Sequence, residues 1–245
     1  MLFRRLVIIS LLAGLVGGFV LSLSQQWQVL PIIFAAEEYE SSKAEEVSSE
    51  SASESHGDHD HGGDWSPEDG LERTLFTVLS NVLTAIGFSL VLVTLIAISS
   101  TYFNKEISTL SGLFWGLGGF IAVFASPSFG ISPELPGVSG AALEFRQEWW
   151  ISTVLLTSAG LFLAHIWKSY WRWPISCILL VAPHIYGAPH PENLYAGFPA
   201  DVAEKLAMLS DQFLVATASS NLIFWVSLGI FSGWALKRFP LPRTV

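Results

Sequence analysis

A short stretch between two long apolar runs concentrates residue types that bind divalent metal ions. It reads His-Gly-Asp-His-Asp-His-Gly-Gly-Asp, and its possible ligands are His56, Asp58, His59, Asp60, His61 and Asp64. Imidazole nitrogens suit divalent transition metals, and carboxylates add negative charge and further ligands. Flexible ligands of this kind favour capture and transfer of an ion over permanent binding. The alternative is a solvated linker that binds metal incidentally.

The composition places this stretch in a membrane protein. Hydrophobic residues make up 51% of the 245 and charged residues only 13%, and the mean hydropathy is +0.50. These values fit a membrane protein better than a soluble domain. Many of the 10 tryptophans lie where apolar runs end, as in an interfacial aromatic belt. The net charge of −9 comes mostly from one side of the membrane, so it does not indicate a nucleic-acid partner.

Common catalytic motifs are absent from the sequence. Cys177 is the only cysteine, which excludes an intrachain disulfide and a CxxC site for zinc or redox chemistry. The sequence contains no P-loop, no GxSxG and no HExxH, so we exclude an ATPase subunit and the hydrolases that use those motifs. A membrane enzyme is the weakest interpretation, because no mid-depth acid–base pair is recognisable. We predict neither enzymatic activity nor a cofactor.

Six apolar runs predict an all-α, polytopic membrane helix bundle. Residues 1–36 hold the first span, which we predict is a retained helix rather than a cleaved signal peptide, given its length. Residues 37–64 are predicted to form a disordered acidic, His-rich loop outside the cytoplasm. Residues 65–245 form the other five spans, over about 71–98, 110–125, 148–167, 173–186 and 209–236. Because the run over 173–186 is short, five spans is the alternative.

The basic residues orient this predicted bundle. With six spans and a cytoplasmic N-terminus, eight basic residues lie inside and four outside, in agreement with the positive-inside bias. Those inside are Arg4, Arg5, Lys105, Lys168, Arg172, Lys237, Arg238 and Arg243. Among the 21 acidic residues, only Glu106 lies inside. We therefore predict that both termini are cytoplasmic and that the protein lies in the inner (plasma) membrane.

Candidate ligands on more rigid elements also collect on the outer side. His184 follows Pro183 near the outer end of the fifth run, and His190 lies between two prolines in the next loop. Asp69 and Glu72 lie at the start of the second span, where Ser-Pro-Glu-Asp predicts a helix start. An ionisable group inside a membrane is a functional candidate. The alternative for His184 is an interfacial residue that bonds a carbonyl group. The alternative for Glu72-Arg73 is a structural ion pair with another loop.

Other polar residues in the runs leave two interpretations open. Asn81 and Asn221 either hydrogen-bond helix to helix or supply oxygen ligands along a path. Cys177 lies two helical turns before His184 and either shares its face or is a small buried hydrophobe. His165, near the inner end of the fourth run, is interpreted as an interfacial residue.

Glycines spaced four residues apart predict close contacts between helices. The pairs are Gly14 and Gly18, Gly112 and Gly116, and Gly229 and Gly233.

Three blocks of the sequence resemble a known family. They are Trp65-Ser-Pro-Glu-Asp-Gly-Leu-Glu-Arg-Thr74, Pro133-Glu-Leu-Pro-Gly137 and Pro183-His-Ile-Tyr-Gly-Ala-Pro-His-Pro191. Together with the opening Arg4-Arg5 helix and Asn221-Leu-Ile-Phe-Trp225, they look like the cobalt transporter subunit family CbtA over nearly the whole chain. The resemblance implies an integral membrane protein, usually described with five spans, that imports cobalt for cobalamin synthesis. It also implies a partner, CbtB, a small single-helix membrane protein with a histidine-bearing terminus.

Two hypotheses of different classes follow. The first is a membrane permease subunit that imports Co²⁺ or Ni²⁺ through a path opening at His184 and His190. In it, the His/Asp loop, Asp69 and Glu72 supply further ligands, and the partners are the metal ion, lipid and the small subunit. The second is a metal-binding sensor or scaffold that moves nothing. Ni²⁺ binds such ligands at least as well as Co²⁺, so the sequence leaves the choice of metal open.

Overall fold

The computed structural model describes residues 2–51, 67–68 and 70–240, with the backbone alone described over 41–51. In this part of the chain all regular structure is helical, which confirms the predicted fold class. The helices are α1 (Leu2–Gln28), α2 (Leu30–Ser51), α3 (Leu71–Phe103), α4 (Thr109–Phe120), α5 (Ser126–Ser128), α6 (Leu143–Ile166), α7 (Arg172–Tyr186) and α8 (Ala200–Arg238). A π-helical turn, Ile121–Ala125, joins α4 to α5 in one continuous rod.

Five helical segments are long and apolar enough to cross a membrane, as in a multi-pass membrane protein. They are Leu2–Gln28, Leu71–Phe103, Thr109–Ser128, Leu143–Ile166 and Ala200–Arg238. This count agrees with the alternative of five spans rather than the preferred six. The difference lies in α7, whose 15 residues rise only about 22 Å, less than the ~30 Å of a hydrocarbon core.

Although it is short, α7 returns the chain along α6. Near the start of α7, the Ser176 hydroxyl donates to the Gly160 carbonyl at 2.8 Å. Near its end, the Trp149 indole N–H donates to the Pro183 carbonyl at 3.1 Å. Later residues of α7 thus meet earlier residues of α6, so the two helices are antiparallel. As a result α8 begins at the end of the bundle where α6 also begins.

The two ends of the bundle differ in their connections. At the short-turn end, residues 104–108 and 167–171 make tight connections, whereas at the long-loop end residues 129–142 and 187–199 make longer ones. Arg5 Nη1 donates to the Pro240 carbonyl at 2.7 Å, so α1 starts and α8 finishes at the short-turn end. The cytoplasmic location of that end stays a prediction.

Glycines bring the central helices into close contact, as predicted. A Cβ at Gly14 or Gly18 of α1 would lie 2.5 Å from a backbone atom of α3. Gly116 of α4 faces α8 as closely, because a Cβ there would lie 2.2 Å from the Trp225 carbonyl oxygen and 3.1 Å from Gly229 Cα. No side chain fits at these contacts, so the α1–α3 and α4–α8 pairs pack backbone against backbone.

A second, smaller core lies at the long-loop end, where α2 meets both long loops and the start of α8. Its buried members are Val29, Ala36, Leu135, Leu206, Phe213 and Ala216. The backbone is helical over residues 37–51, where disorder was predicted. Ala, Glu and Lys favour helix, and contacts of Ala36 and Tyr39 with this core hold the first part of α2 in place. Residues 52–64 of the predicted loop lie outside the described residues.

An ion pair ties α3 to α2. Arg73 Nη2 lies 2.5 Å from Glu37 Oε1, and Arg73 Nη1 lies 3.2 Å from Glu37 Oε2. The guanidinium also lies over the Phe34 ring, 5.1 Å from its centroid. This bidentate geometry is the most specific that an Arg–carboxylate pair can adopt. The ion-pair alternative therefore holds for Arg73, with a partner on α2.

The two asparagines of the apolar runs have different partners. Asn81 Nδ2 donates to two side chains of α1, the Ser22 hydroxyl at 3.1 Å and the Gln25 carbonyl oxygen at 2.7 Å. Asn221 Nδ2 donates to the Thr217 carbonyl within its own helix at 3.0 Å. The helix-to-helix interpretation is thus confirmed for Asn81 alone.

We expect Asn81→Leu to lower the free energy of unfolding by about 1 kcal/mol, the scale of interhelical hydrogen bonds in membrane proteins. Asn221→Leu is the matched control, since it removes a hydrogen bond that joins no second helix. Thermal unfolding of the full chain in detergent measures both variants. An equal loss of stability in the two variants would contradict the interhelical role of Asn81.

Candidate metal site

His184 lies in the last turn of α7, at the long-loop end. Pro183 precedes it and has no backbone N–H, so this turn lacks one helical hydrogen bond. The half-buried His184 ring points its Nε2 toward Ser126, 3.2 Å from the hydroxyl oxygen. It also meets the Trp149 ring edge to face, with centroids 5.7 Å apart. The histidine is therefore held between α6 and the rod formed by α4 and α5.

Ser126 connects His184 to α6. Its hydroxyl oxygen lies 3.0 Å from Thr157 Oγ1, and both Ser126 and Thr157 are buried. Ser126 directly follows the π-helical turn, whose wider winding shifts the register of the side chains after it. Such turns frequently occur at functional sites. We call His184, Ser126, Thr157 and Trp149 the His184 cluster.

Trp149 of α6 holds the part of α7 that carries His184. Its indole is 5% exposed and donates to the Pro183 carbonyl, which holds the backbone next to the histidine. Gly130 makes room for the ring, since a Cβ there would lie 2.3 Å from Trp149 Cη2. The orientation of His184 is thus set by contacts from α6, α7 and the loop after α5.

Two clefts flank the cluster at the long-loop end. The larger, of about 600 Å³, lies between α6 and α7 and is lined by Glu148, Trp149 and Pro183 among others. The smaller, of about 250 Å³, is lined by Pro127 and Arg146 among others. The larger cleft therefore leads from a carboxylate, Glu148, toward the residues that hold the histidine.

The His184 cluster offers one imidazole nitrogen and two hydroxyl oxygens. The imidazole nitrogen suits divalent transition metals, the neutral hydroxyls are weaker oxygen ligands, and water would fill the remaining coordination positions. Among the described residues, no group of three or more His, Cys, Asp or Glu side chains could hold a metal ion.

A comparison of the whole chain with protein families adds the decisive observation. The family model described as "Probable cobalt transporter subunit (CbtA)" matches residues 3–237. The chain belongs to the CbtA family. The match extends from α1 to α8 and includes every residue of the His184 cluster. No curated protein and no solved structure matches the chain.

Two further predicted ligands of this CbtA-family chain lie apart from the cluster. His190 is exposed in the loop after α7, and no hydrogen bond or ring contact joins it to the described side chains around His184. Glu72 is half-buried in the first turn of α3, where its Oε2 accepts a hydrogen bond from the Glu68 backbone N–H at 3.1 Å. Since α3 begins at Leu71 with Gly70 as its N-cap, this contact joins the segment before the helix to the first helical turn.

The other predicted ligands of the CbtA-family chain cannot be located. His56, Asp58, His59, Asp60, His61 and Asp69 lie outside the described residues.

Sequence reasoning missed two members of the His184 cluster. Thr157 belongs to a line with Trp149 and Thr153, spaced four residues apart on one face of α6, and this spacing is visible in the sequence. Ser126 gave no such signal, because its position depends on the π-helical turn before it. Glu148 at the larger cleft was placed only as the start of a span.

Proposed function

We propose that this CbtA-family protein is a membrane permease subunit that imports a divalent transition metal, Co²⁺ or alternatively Ni²⁺. The observation that carries the proposal is the His184 cluster, in which an imidazole nitrogen faces the buried Ser126 hydroxyl, which in turn contacts the buried Thr157 hydroxyl. The imidazole favours Co²⁺ and Ni²⁺ over Mg²⁺ and Ca²⁺, which prefer all-oxygen sites. The family description, a probable cobalt transporter subunit, supports cobalt as the ion.

The distribution of basic residues supports an orientation for the bundle in the membrane. The short-turn end carries seven of the basic residues that the structure describes: Arg4, Arg5, Lys105, Lys168, Arg172, Lys237 and Arg238. The positive-inside bias supports a cytoplasmic location for that end, and we propose that the protein lies in the cytoplasmic membrane. The long-loop end then faces outward, so an arriving ion reaches the His184 cluster first.

Capture outside the membrane completes the proposal. The His/Asp loop, with His56, His59, His61, Asp58 and Asp60, gathers ions at the long-loop end. Glu72 in the first turn of α3, His190 on the exposed loop and Asp69 supply further transient ligands. The word subunit in the family description supports a partner protein, which we propose is a small single-helix protein with a His-bearing terminus, like CbtB. The imported cobalt would serve cobalamin synthesis.

The test is metal accumulation in cells that lack their own cobalt and nickel importers. The full chain is expressed alone and with its small partner, and cobalt and nickel in washed cells are measured by elemental analysis. We expect several-fold more cobalt than in cells with an empty vector. Metal binding without accumulation, with the protein present in the membrane, would support a sensor or scaffold instead.

A further inference from the structure

A second histidine at the opposite end of α6 has neighbours of the same kind as His184. His165 Nε2 lies 3.0 Å from Ser99 Oγ, and Ser99 is 1% exposed. The His165 ring meets the Trp115 ring edge to face, with centroids 5.2 Å apart and planes at 69°. We call His165, Ser99 and Trp115 the His165 cluster.

The two clusters correspond feature by feature. In each, a histidine Nε2 faces a buried serine hydroxyl, at 3.0 Å in the His165 cluster and 3.2 Å in the His184 cluster. In each, a tryptophan ring stands nearly perpendicular to the imidazole, at 69° and 73°. Both clusters lie along α6, where Thr157 and His165 are separated by about 12 Å of helical rise. A histidine–serine contact with a perpendicular tryptophan thus occurs near each end of α6, although only the His184 cluster adds a second hydroxyl.

The surroundings of the His165 cluster differ in charge and access. It lies at the short-turn end, where the His165 residue is exposed and Lys105 lies two residues after the end of α3. The Lys105 backbone N–H donates to the Ser99 carbonyl oxygen at 3.3 Å, so Lys105 lies beside the Ser99 end of the cluster. A nearby positive charge weakens the binding of a cation, so ions bound at this end would be released more readily.

Aromatic packing holds the His165 cluster in place. Phe162, one turn earlier on α6, lies 6.2 Å from the Phe103 ring and 6.1 Å from the Trp115 ring, measured between centroids. These contacts fix α6 against α3 and α4 at the short-turn end. The imidazole therefore meets Ser99 in a fixed geometry rather than as a loose interfacial side chain.

We infer that His165 and Ser99 form a second divalent-cation site, through which the ion leaves toward the short-turn end. This inference rests on the proposed function. Conduction requires sites that bind well enough for entrance yet weakly enough for departure, and several similar sites in series meet both needs. The earlier interpretation of His165 as an interfacial residue predicts no part in uptake, so the two interpretations can be separated.

The first experiment compares His165→Phe with the wild-type full chain in the importer-deficient cells, using radioactive Co²⁺. Phe keeps an aromatic ring beside Trp115 but removes both nitrogens. We expect the uptake rate to fall about tenfold, on the scale of losing a metal-site group. The amount of bound Co²⁺ that an external chelator can remove from the cells should stay unchanged, because the His184 cluster is intact. Wild-type uptake by His165→Phe would overturn the inference.

A milder pair of variants guards against a folding defect. Ser99→Ala removes only the hydroxyl that faces His165, and Ser100→Ala removes the next hydroxyl along α3 as the matched control. We expect Ser99→Ala alone to slow uptake by about threefold or more, at unchanged membrane level and unfolding temperature. Equal uptake in the two serine variants would overturn the inference even if His165→Phe failed to fold.

Failure of this inference is distinguishable from failure of the proposed function. If the wild-type chain accumulates no cobalt, the proposed function is wrong and the inference falls with it. If the wild type and both variants, His165→Phe and Ser99→Ala, accumulate cobalt equally, the permease proposal stands and only the second site is wrong.

Discussion

Cells that express His184→Ala are expected to accumulate cobalt at least about tenfold more slowly than cells with the wild-type chain, the scale seen when a metal site loses a supporting group. The variant removes the only imidazole of the His184 cluster and leaves two hydroxyls, which bind transition metals weakly. The membrane level of the protein should not change, because the half-buried ring contributes little to the core. Uptake over the first minutes, normalised to protein in the membrane, measures the effect.

A second substitution at the same position separates metal binding from hydrogen bonding. His184→Gln restores a polar group near Ser126 but supplies no imidazole nitrogen. If His184 binds the ion, Gln and Ala should lower uptake alike. If His184 only holds Ser126 in place, Gln should recover much of the lost activity, and the assignment of His184 as a ligand would be wrong.

His190→Ala provides the comparison between the two histidines that the sequence ranked together. His190 is exposed on the loop after α7, apart from the His184 cluster among the described residues. A ligand at the entrance helps to capture ions. Its loss should therefore lower the uptake rate at low external cobalt, whereas a high external cobalt concentration should restore the rate. A His184 variant should remain slow at all concentrations, because it affects the path itself.

The sequence predicted the helical bundle well because hydropathy and glycine spacing are local signals. The glycines of α1 and α4 lie at the close contacts expected of them, and long apolar runs became helices. The number of spans was harder to predict. The run over 173–186 looks like a span in composition, and only its antiparallel packing on α6 explains how 15 residues return the chain to the long-loop end.

The helical state of residues 37–51 could not be predicted from composition alone. Polar, Ser-rich segments generally lack the apolar surface needed to fold. Here the segment continues from Val29, Ile32 and Ala36, which pack on α8 and the long loops, so the first part of α2 is held by contacts distant in sequence. The Arg73–Glu37 pair adds a contact of the same kind.

The site was predictable only in part. His184 was identified because an ionisable residue near a span end is unusual, but its partners Ser126 and Thr157 are 58 and 27 positions away. Serine and threonine are common in membrane helices, where they often bond their own backbone, as Thr153 does. A hydroxyl becomes a candidate ligand only once folding places it beside an imidazole. The same holds for His165, because its neighbours Ser99 and Trp115 lie on other helices and are distant in sequence.

The backbone contact between α4 and α8 should be the most sensitive position for stability. A Cβ at Gly116 would lie 2.2 Å from the Trp225 carbonyl oxygen, and neither backbone can yield without separating the helices. Overpacking of this kind costs about 1–3 kcal/mol. We therefore expect Gly116→Ala to lower the unfolding temperature in detergent and the amount of protein in the membrane.

Gly118→Ala is the matched control for Gly116→Ala. Gly118 lies in the same helix, two residues on, and a Cβ there would meet no atom within 4 Å. Alanine favours helix over glycine by up to about 1 kcal/mol, so Gly118→Ala should leave stability unchanged or raise it. Equal destabilisation by both substitutions would contradict the backbone contact seen between α4 and α8.

The Gly116 contact also connects the core to the His184 cluster. α4 continues through the π-helical turn into Ser126, so a shift of α4 away from α8 moves the Ser126 hydroxyl relative to His184 and Thr157. The Gly116→Ala variant that reaches the membrane should therefore import cobalt more slowly per molecule than the Gly118→Ala variant. Both variants keep the His184 imidazole. Normal uptake per molecule in Gly116→Ala would show that the position of Ser126 does not depend on the α4–α8 contact.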